Sequence, residues 1–130
     1  MRQSVIDYLQ GLNLGSFTIA NEVPWTETGI ELYLKNLKKI YVDVDAFTTE
    51  PVITTFTGLN LNNESTVVRV YFANDAKQLP SNYDDVVASI RAAKDISSEV
   101  GYNRREADVS TSYESDRLVT EIELRYIKLT

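Results

Sequence analysis

The chain has 130 residues, of which 43% are hydrophobic and 25% are charged, and this predicts one ordinary domain spanning residues 1–130 with enough material for a core. It contains no Cys and no His, which excludes cysteine nucleophiles, thiolate or imidazole metal sites and Ser-His-Asp hydrolysis within the chain. The net charge of −6, from 13 basic and 19 acidic residues, argues against tight binding to phosphate backbones.

The beginning of the chain predicts a short helix and a strand, followed by an irregular segment. Four apolar residues recur at helical spacing over residues 2–12: Val5, Ile6, Leu9 and Leu12. A helix of about three turns is too short to persist alone in water, so we expect it to dock on the rest of the domain. The alternating residues 16–20 predict a strand, and Pro24 argues against a central strand within residues 21–29.

The middle of the chain predicts β-structure. Residues 40–45 and 51–57 are rich in β-branched and aromatic residues, so both blocks are expected to be strands. The region around residues 43–51, where the first block ends and the second begins, is expected to form an exposed hairpin tip or a loop. The Asn-rich cluster at residues 60–64 predicts a turn. Residues 66–73 form the most apolar run, which predicts a strand near the centre of its sheet.

The end of the chain predicts a second helix and a hairpin. Residues 82–95 have helical periodicity and an acidic first turn, and Ser81 is placed to cap them. Residues 107–116 and 118–129 predict two long strands joined by a short turn. The order of elements predicts an α+β domain: a mainly antiparallel sheet with two α-helices packed on one side and a C-terminal β-hairpin.

One carboxylate pair deserves a test as a catalytic or metal-binding site. Asp43 and Asp45 lie two apart in a predicted strand, so their side chains should share a face. Paired acids serve glycosidases and divalent-cation sites. However, no third ligand or Gly-rich turn accompanies them, and two acids on a solvent-facing strand are common in so acidic a chain. We therefore assign no catalytic, cofactor-binding or metal-binding residue and expect no cofactor.

Basic and aromatic residues supply the candidates for contact with partners. Lys35, Lys38 and Lys39 form the one basic run, which is either a contact for an acidic partner surface or a solvated turn. Trp25 and Tyr102 each lie beside irregular backbone. Either an interface or a core position suits these two aromatic residues.

A family resemblance lies in the last third of the chain. Residues 101–108, Gly-Tyr-Asn-Arg-Arg-Glu-Ala-Asp, followed by a polar turn region and the closing strand at 119–126, resemble the end of the tail terminator proteins of long-tailed bacteriophages, the lambda-like minor tail protein U family. The rest of the chain agrees with that family in length and in the order of elements, but residues 32–36 have no counterpart.

The resemblance implies a structural virion protein rather than an enzyme. Members of that family close into a hexameric ring that caps the tail tube, stops its polymerisation and offers a docking surface to the head and neck. The implied partners are further copies of the chain, the tail tube protein and a head-completion or neck protein. DNA passes through the lumen without specific binding, and no membrane is involved. The implied location is the tail–neck junction of the virion, after assembly in the host cytoplasm.

The implied interface is drawn from the motif and from the aromatic and basic residues above. In the motif, Arg104 and Arg105 open the penultimate strand, where a guanidinium can pair with a carboxylate across a subunit boundary or, alternatively, within the chain. The expected contacts with subunits or the tube are Tyr102, Arg104, Arg105, Glu106, Asp108 and Trp25. The expected partner-facing basic residues are Lys35, Lys38 and Lys39.

Two other functions remain open from the sequence. The first is a head-closure or tail-tube protein of related fold, which would also form rings. The second is a small non-viral binding or acid-pair enzyme domain, which would be a monomer with a concave pocket. No run of eighteen apolar residues is present, and Asp7 stands where a signal peptide needs an apolar stretch, so we expect the protein to stay in the compartment where it is made.

Overall fold

The computed structural model describes the backbone of residues 2–54, 60–93 and 103–129, and the side chains of residues 2–43, 65–93 and 107–127. These residues form an α+β fold with one sheet, as the order of elements predicts. The elements in chain order are α1 (Arg2–Gln10), β1 (Thr18–Ile19), α2 (Leu32–Lys35), β2 (Lys39–Thr54), β3 (Asn60–Asp75), α3 (Tyr83–Arg91), β4 (Asn103–Glu114) and β5 (Arg117–Leu129).

The sheet has the strand order β1-β2-β3-β5-β4, so the apolar strand β3 is central, as predicted. The pairs β2–β3, β3–β5 and β4–β5 are antiparallel. The short strand β1 instead runs parallel to the start of β2, with Thr18 opposite Lys39 and Ile19 opposite Ile40. The sheet is therefore mixed, and the predicted C-terminal hairpin is confirmed, with only residues 115 and 116 between its strands.

The predicted hairpin tip at residues 43–51 is wrong, because β2 runs through this segment without interruption. Pro51 is accommodated because it lies next to a bulge, where β2 shifts register against β3. The turn predicted at residues 60–64 is also wrong. Asn63, for example, pairs with Glu50 on one side and with Leu129 on the other. Two ladders override the weak strand propensity of Asn. Residues 55–59, which include the end of a predicted strand, lie outside the described residues.

Both predicted helices are present, with differences at their ends. α3 ends at Arg91 rather than at residue 95, and Ser81 does not cap it. Asn82 occupies the capping position instead, and its Nδ2 donates a hydrogen bond to the backbone oxygen of Leu14 at 3.1 Å. α2 was not predicted, because a single turn of four residues carries no helical period.

The sheet has one face towards α1 and α3, called here the helix face. The main core cluster joins buried residues of α1 and α3 to alternate residues of β2, β3 and β5: Val5, Ile6, Leu9, Val86, Ile90, Ile40, Val42, Val68, Val70, Phe72, Ile122, Leu124 and Tyr126. Residues between these in sequence point the other way because side chains alternate along a strand. The two faces therefore have separate cores.

The opposite face is covered in part by residues 20–36, called here the strap, and is called the strap face. Its smaller cluster contains the buried residues Ala20, Tyr33, Tyr41, Tyr71, Ala73 and Val119. Arg2 ties the strap to the sheet, because its guanidinium donates to the backbone oxygens of Val42 at 2.7 Å and of Asn21 at 2.6 Å. The strap holds its own bend with a backbone hydrogen bond from Leu32 to Pro24 at 2.8 Å.

Candidate interaction surface

Among the strands and helices whose side chains the structure describes, the most exposed stretch is the second half of β4, residues 108–114, called here the β4 edge. β4 is the outermost strand of the sheet, and within the described residues it forms backbone hydrogen bonds only with β5. Every residue of the β4 edge is exposed. Its outward main-chain groups are therefore left to solvent or to another chain.

On the helix face, the β4 edge presents apolar side chains. Val109 lies opposite Ile122 of the main core and Tyr113 lies opposite the buried Leu118, so both continue cross-strand rows of the helix face. Yet Val109 is 38% exposed and Tyr113 is 73% exposed. Apolar side chains of the helix face therefore reach the outermost strand, where Val109 is partly exposed and Tyr113 is mostly exposed.

On the strap face, the β4 edge presents acidic side chains at its two ends. Asp108 lies opposite Glu123, and Glu114 lies opposite Arg117. Among the described residues, no ion pair within 4.0 Å involves Asp108 or Glu114. Both carboxylates are thus left to water, even though Arg117 is the register partner of one of them.

The neighbouring charges on the strap face are compensated within the sheet. Arg69 of β3 lies between two carboxylates of β5, with Nε 3.2 Å from Oε1 of Glu121 and a terminal nitrogen 3.4 Å from Oε2 of Glu123. Arg125 also approaches Glu123, at 4.0 Å. Such half-exposed pairs add little to stability. They do, however, distinguish these acids from Asp108 and Glu114.

Trp25 belongs to the aromatic cluster at the contact between the strap and the sheet. Its ring meets Tyr71 edge to face at a centroid distance of 5.2 Å, and Tyr33 stacks on Tyr71 at 5.2 Å. The Tyr33 hydroxyl donates to Oε2 of Glu31 at 3.0 Å. Burial raises the pKa of Tyr33, and this carboxylate and the charge of Glu114 raise it further. Trp25 is therefore a half-buried member of the second core.

The three lysines of the basic run do not act as one patch. Lys35 is exposed at the end of α2, and Lys38 adopts a left-handed conformation (φ 59°) in the connection to β2. Lys39 is engaged within the chain, where its Nζ lies 3.9 Å from Oε2 of Glu22 and 5.8 Å from the centre of the Tyr41 ring. Only Lys35 and Lys38 are left among the three for a partner.

The motif residues fall on the same strand as the β4 edge. Arg104 and Glu106 pair with Tyr126 and Arg125 of β5, and Arg105 is the extra residue of a bulge between them. Tyr102 and the side chains of the three motif residues 104–106 lie outside what the structure describes. Asp108 is the member of the predicted interface that the structure places in the exposed β4 edge.

Sequence reasoning did not select Val109 and did not predict that this part of β4 forms a free edge. The Ser, Thr and acidic residues of the strand predicted at 107–116 are a weak signal for an exposed strand, but nothing local identifies an outermost one. The carboxylate pair fares differently. A bulge between Val44 and Ala46 interrupts the alternation on which the shared face of Asp43 and Asp45 was predicted.

Within the described residues, no group of three acidic side chains is arranged to hold a metal ion. None of the described helices is long and apolar enough to cross a membrane. No protein family model matches the chain, and no curated protein matches it either. Any functional assignment must therefore rest on the motif and on the geometry of the exposed surfaces.

Proposed function

We propose that this protein is the tail terminator of a long-tailed bacteriophage. In this role, six copies close into a ring that caps the tail tube, stops its polymerisation and provides the docking surface for the head and neck. The observation that carries the proposal is the position of the Arg104-Arg105 motif: it opens a long outermost strand that has a neighbour on one side only among the described residues.

Ring closure needs two different surfaces on each subunit, because a head-to-tail contact repeats one surface against the other. The two sides of this sheet supply different surfaces. β4 lies on one side, and on the other side β2 is paired with β1 only at Lys39 and Ile40 among the described residues. Arginines at the start of β4 suit such a contact, because a guanidinium forms paired hydrogen bonds with a carboxylate of a neighbouring subunit.

The test is the double substitution Arg104→Ala and Arg105→Ala. We expect the subunit to keep the circular dichroism spectrum and melting temperature of the wild type, because arginines that act between subunits are not needed for the folding of one subunit. We expect loss of ring capping, measured as solution mass with and without the tail tube protein and as virion yield. The ring has a mass of about 88 kDa, six times the 14.7 kDa of one chain.

A matched control is the substitution Lys77→Ala and Arg91→Ala, which removes the same number of positive charges from exposed positions outside β4. Rings should still form in this variant. Normal virion yield from the arginine variant would refute the proposal. Electron microscopy of the wild type distinguishes the alternatives, because a tube protein polymerises into long tubes on its own, whereas a terminator stops at one ring. A chain that stays monomeric even with the tube protein would instead favour a non-viral binding domain.

A further inference from the structure

We infer that the β4 edge binds an extended segment of another protein, whose side chains alternate between basic and apolar residues, as an additional strand of the sheet. The inference stands on the geometry of residues 108–114 and does not require a tail role. Should the proposed function hold, the segment belongs to the tube or neck protein.

The β4 edge can pair with an additional strand through its main chain. Proteins usually protect an edge strand with proline, lysine, a bulge or a covering loop. Residues 108–114 contain neither proline nor lysine, and their pairing with β5 is regular, because the bulge of β4 lies before them. An added strand can therefore form main-chain hydrogen bonds along the full length of this segment.

On the helix face, the β4 edge carries Val109 and Tyr113 on either side of Thr111. Val109 and Tyr113 are both exposed and lie on the same face, four residues apart. Cross-strand contacts between aromatic and β-branched side chains stabilise antiparallel pairs. A partner strand gains most if its residues on this face are apolar.

On the strap face, the β4 edge carries acidic side chains at its two ends, Asp108 and Glu114. Asp108 and Glu114 are exposed and have no ion-pair partner within 4.0 Å among the described residues, whereas Glu121 and Glu123 of the next strand share Arg69. A strand added beside β4 would place its own side chains next to Asp108 and Glu114. Lysine or arginine at these places pairs with the carboxylates, and the period of two makes basic and apolar residues alternate.

The same charges argue against a second copy of this chain as the occupant. Two β4 edges related by a two-fold axis pair antiparallel, and the register that brings Val109 opposite Tyr113 also brings Asp108 opposite Glu114. Like charges directly opposite one another destabilise a strand pair. The other outer strand, β2, carries Asp43 on the same strap face, so it would bring a further acid beside these carboxylates. The proposed contact between subunits therefore uses the start of β4, at Arg104 and Arg105, and does not include residues 108–114. Another protein with a basic strand therefore fits better.

The probe is a synthetic eight-residue peptide of alternating lysine and valine or threonine, capped at both ends, added to the full chain. One control peptide has the same composition with its lysines in one block, and a second has glutamate in place of lysine. We expect the alternating peptide to bind at least about tenfold more tightly than either control, since each cross-strand pair contributes a few tenths to 1 kcal/mol. Chemical-shift changes of backbone amides should be confined to residues 103–116.

The charge-reversal variant Asp108→Lys and Glu114→Lys tests the acidic row. It should weaken binding of the lysine peptide about tenfold and should bind the glutamate peptide instead. The variant Asp84→Lys and Asp85→Lys, which changes charge equally on exposed positions of α3, should leave both affinities unchanged. Equal binding of the alternating and blocked peptides, or no effect of reversal at residues 108 and 114, would overturn the inference.

A proline pair tests the main-chain contact. Along an outermost strand, alternate residues direct their N–H groups outward, so one of Ser110→Pro and Thr111→Pro leaves the β4–β5 ladder intact. The variant that keeps the wild-type melting temperature should no longer bind the peptide, because an outward donor is lost and the ring blocks approach. Wild-type affinity in that variant contradicts strand addition. If both variants melt early, charge reversal decides alone. The charge-reversal and proline experiments do not depend on ring formation, which the arginine variant tests separately.

Discussion

The two strands of the C-terminal hairpin have similar lengths and opposite environments. β5 is buried along its helix face and at Val119 on its strap face. Six of its residues have at most 7% of their surface exposed: Leu118, Val119, Thr120, Ile122, Leu124 and Tyr126. β4 is exposed throughout residues 108–114. The difference follows from sheet position, because β5 lies between β3 and β4 while β4 has only β5 beside it among the described residues.

The comparison shows that residue type alone does not decide which strand supports the fold. Thr111 and Thr120 are register partners of the same type, yet Thr111 is exposed while Thr120 is fully buried with a hydroxyl contact to Tyr83. We infer that β5 carries stability and that the β4 edge is available for contact. Register partners in the two strands allow matched experiments on this division.

The largest difference is expected between Ile122 and Val109, which lie opposite each other on the helix face. Ile122→Ala should lower the free energy of unfolding by about 2–5 kcal/mol, because it leaves a cavity in the main core. Val109→Ala should change it by about 0.5 kcal/mol or less, as at other surface positions. Urea denaturation of both variants measures the pair. Comparable losses would mean that the edge supports the fold as much as the core does.

A smaller difference is expected between two tyrosines. The Tyr126 hydroxyl is buried and donates a hydrogen bond of 2.7 Å to the backbone oxygen of Ala93, just beyond α3. Tyr126→Phe should therefore cost about 1–2 kcal/mol of unfolding free energy. Tyr113→Phe should cost almost nothing, because its side chain is 73% exposed. Thermal melting followed by circular dichroism tests this pair, and an equal shift in both variants would contradict it.

The parts of the fold that were predictable are those with a local period. The helix over α1 follows from apolar residues at helical spacing, and the C-terminal hairpin follows from two long strand-like runs with two residues between them. The errors share one cause. Residues 43–51 and 60–64 have turn-like composition, but cross-strand pairing along β2 and β3 keeps them extended. Pairing between residues far apart in sequence cannot be predicted from a local sequence pattern.

The candidate surface was predictable only in part for the same reason. Asp108 was selected because it belongs to the motif at residues 101–108. Val109 was not selected. Its importance depends on β4 being outermost, and that position results from the insertion of β5 between β3 and β4. Strand order is a property of the whole sheet, so the sequence of β4 cannot reveal it.

The smallest difference in unfolding free energy is expected for the register partners Thr120 and Thr111, which allow the same substitution at both positions. Thr120→Val removes a buried hydroxyl that lies 2.7 Å from the Tyr83 hydroxyl, at the contact between β5 and α3. We expect a loss of about 1 kcal/mol of unfolding free energy, since shape is kept while one hydrogen bond disappears. Thr111→Val makes the identical change on the exposed partner and should be neutral within about 0.5 kcal/mol. A measurable loss in Thr111→Val would show that the β4 edge also contributes to the fold.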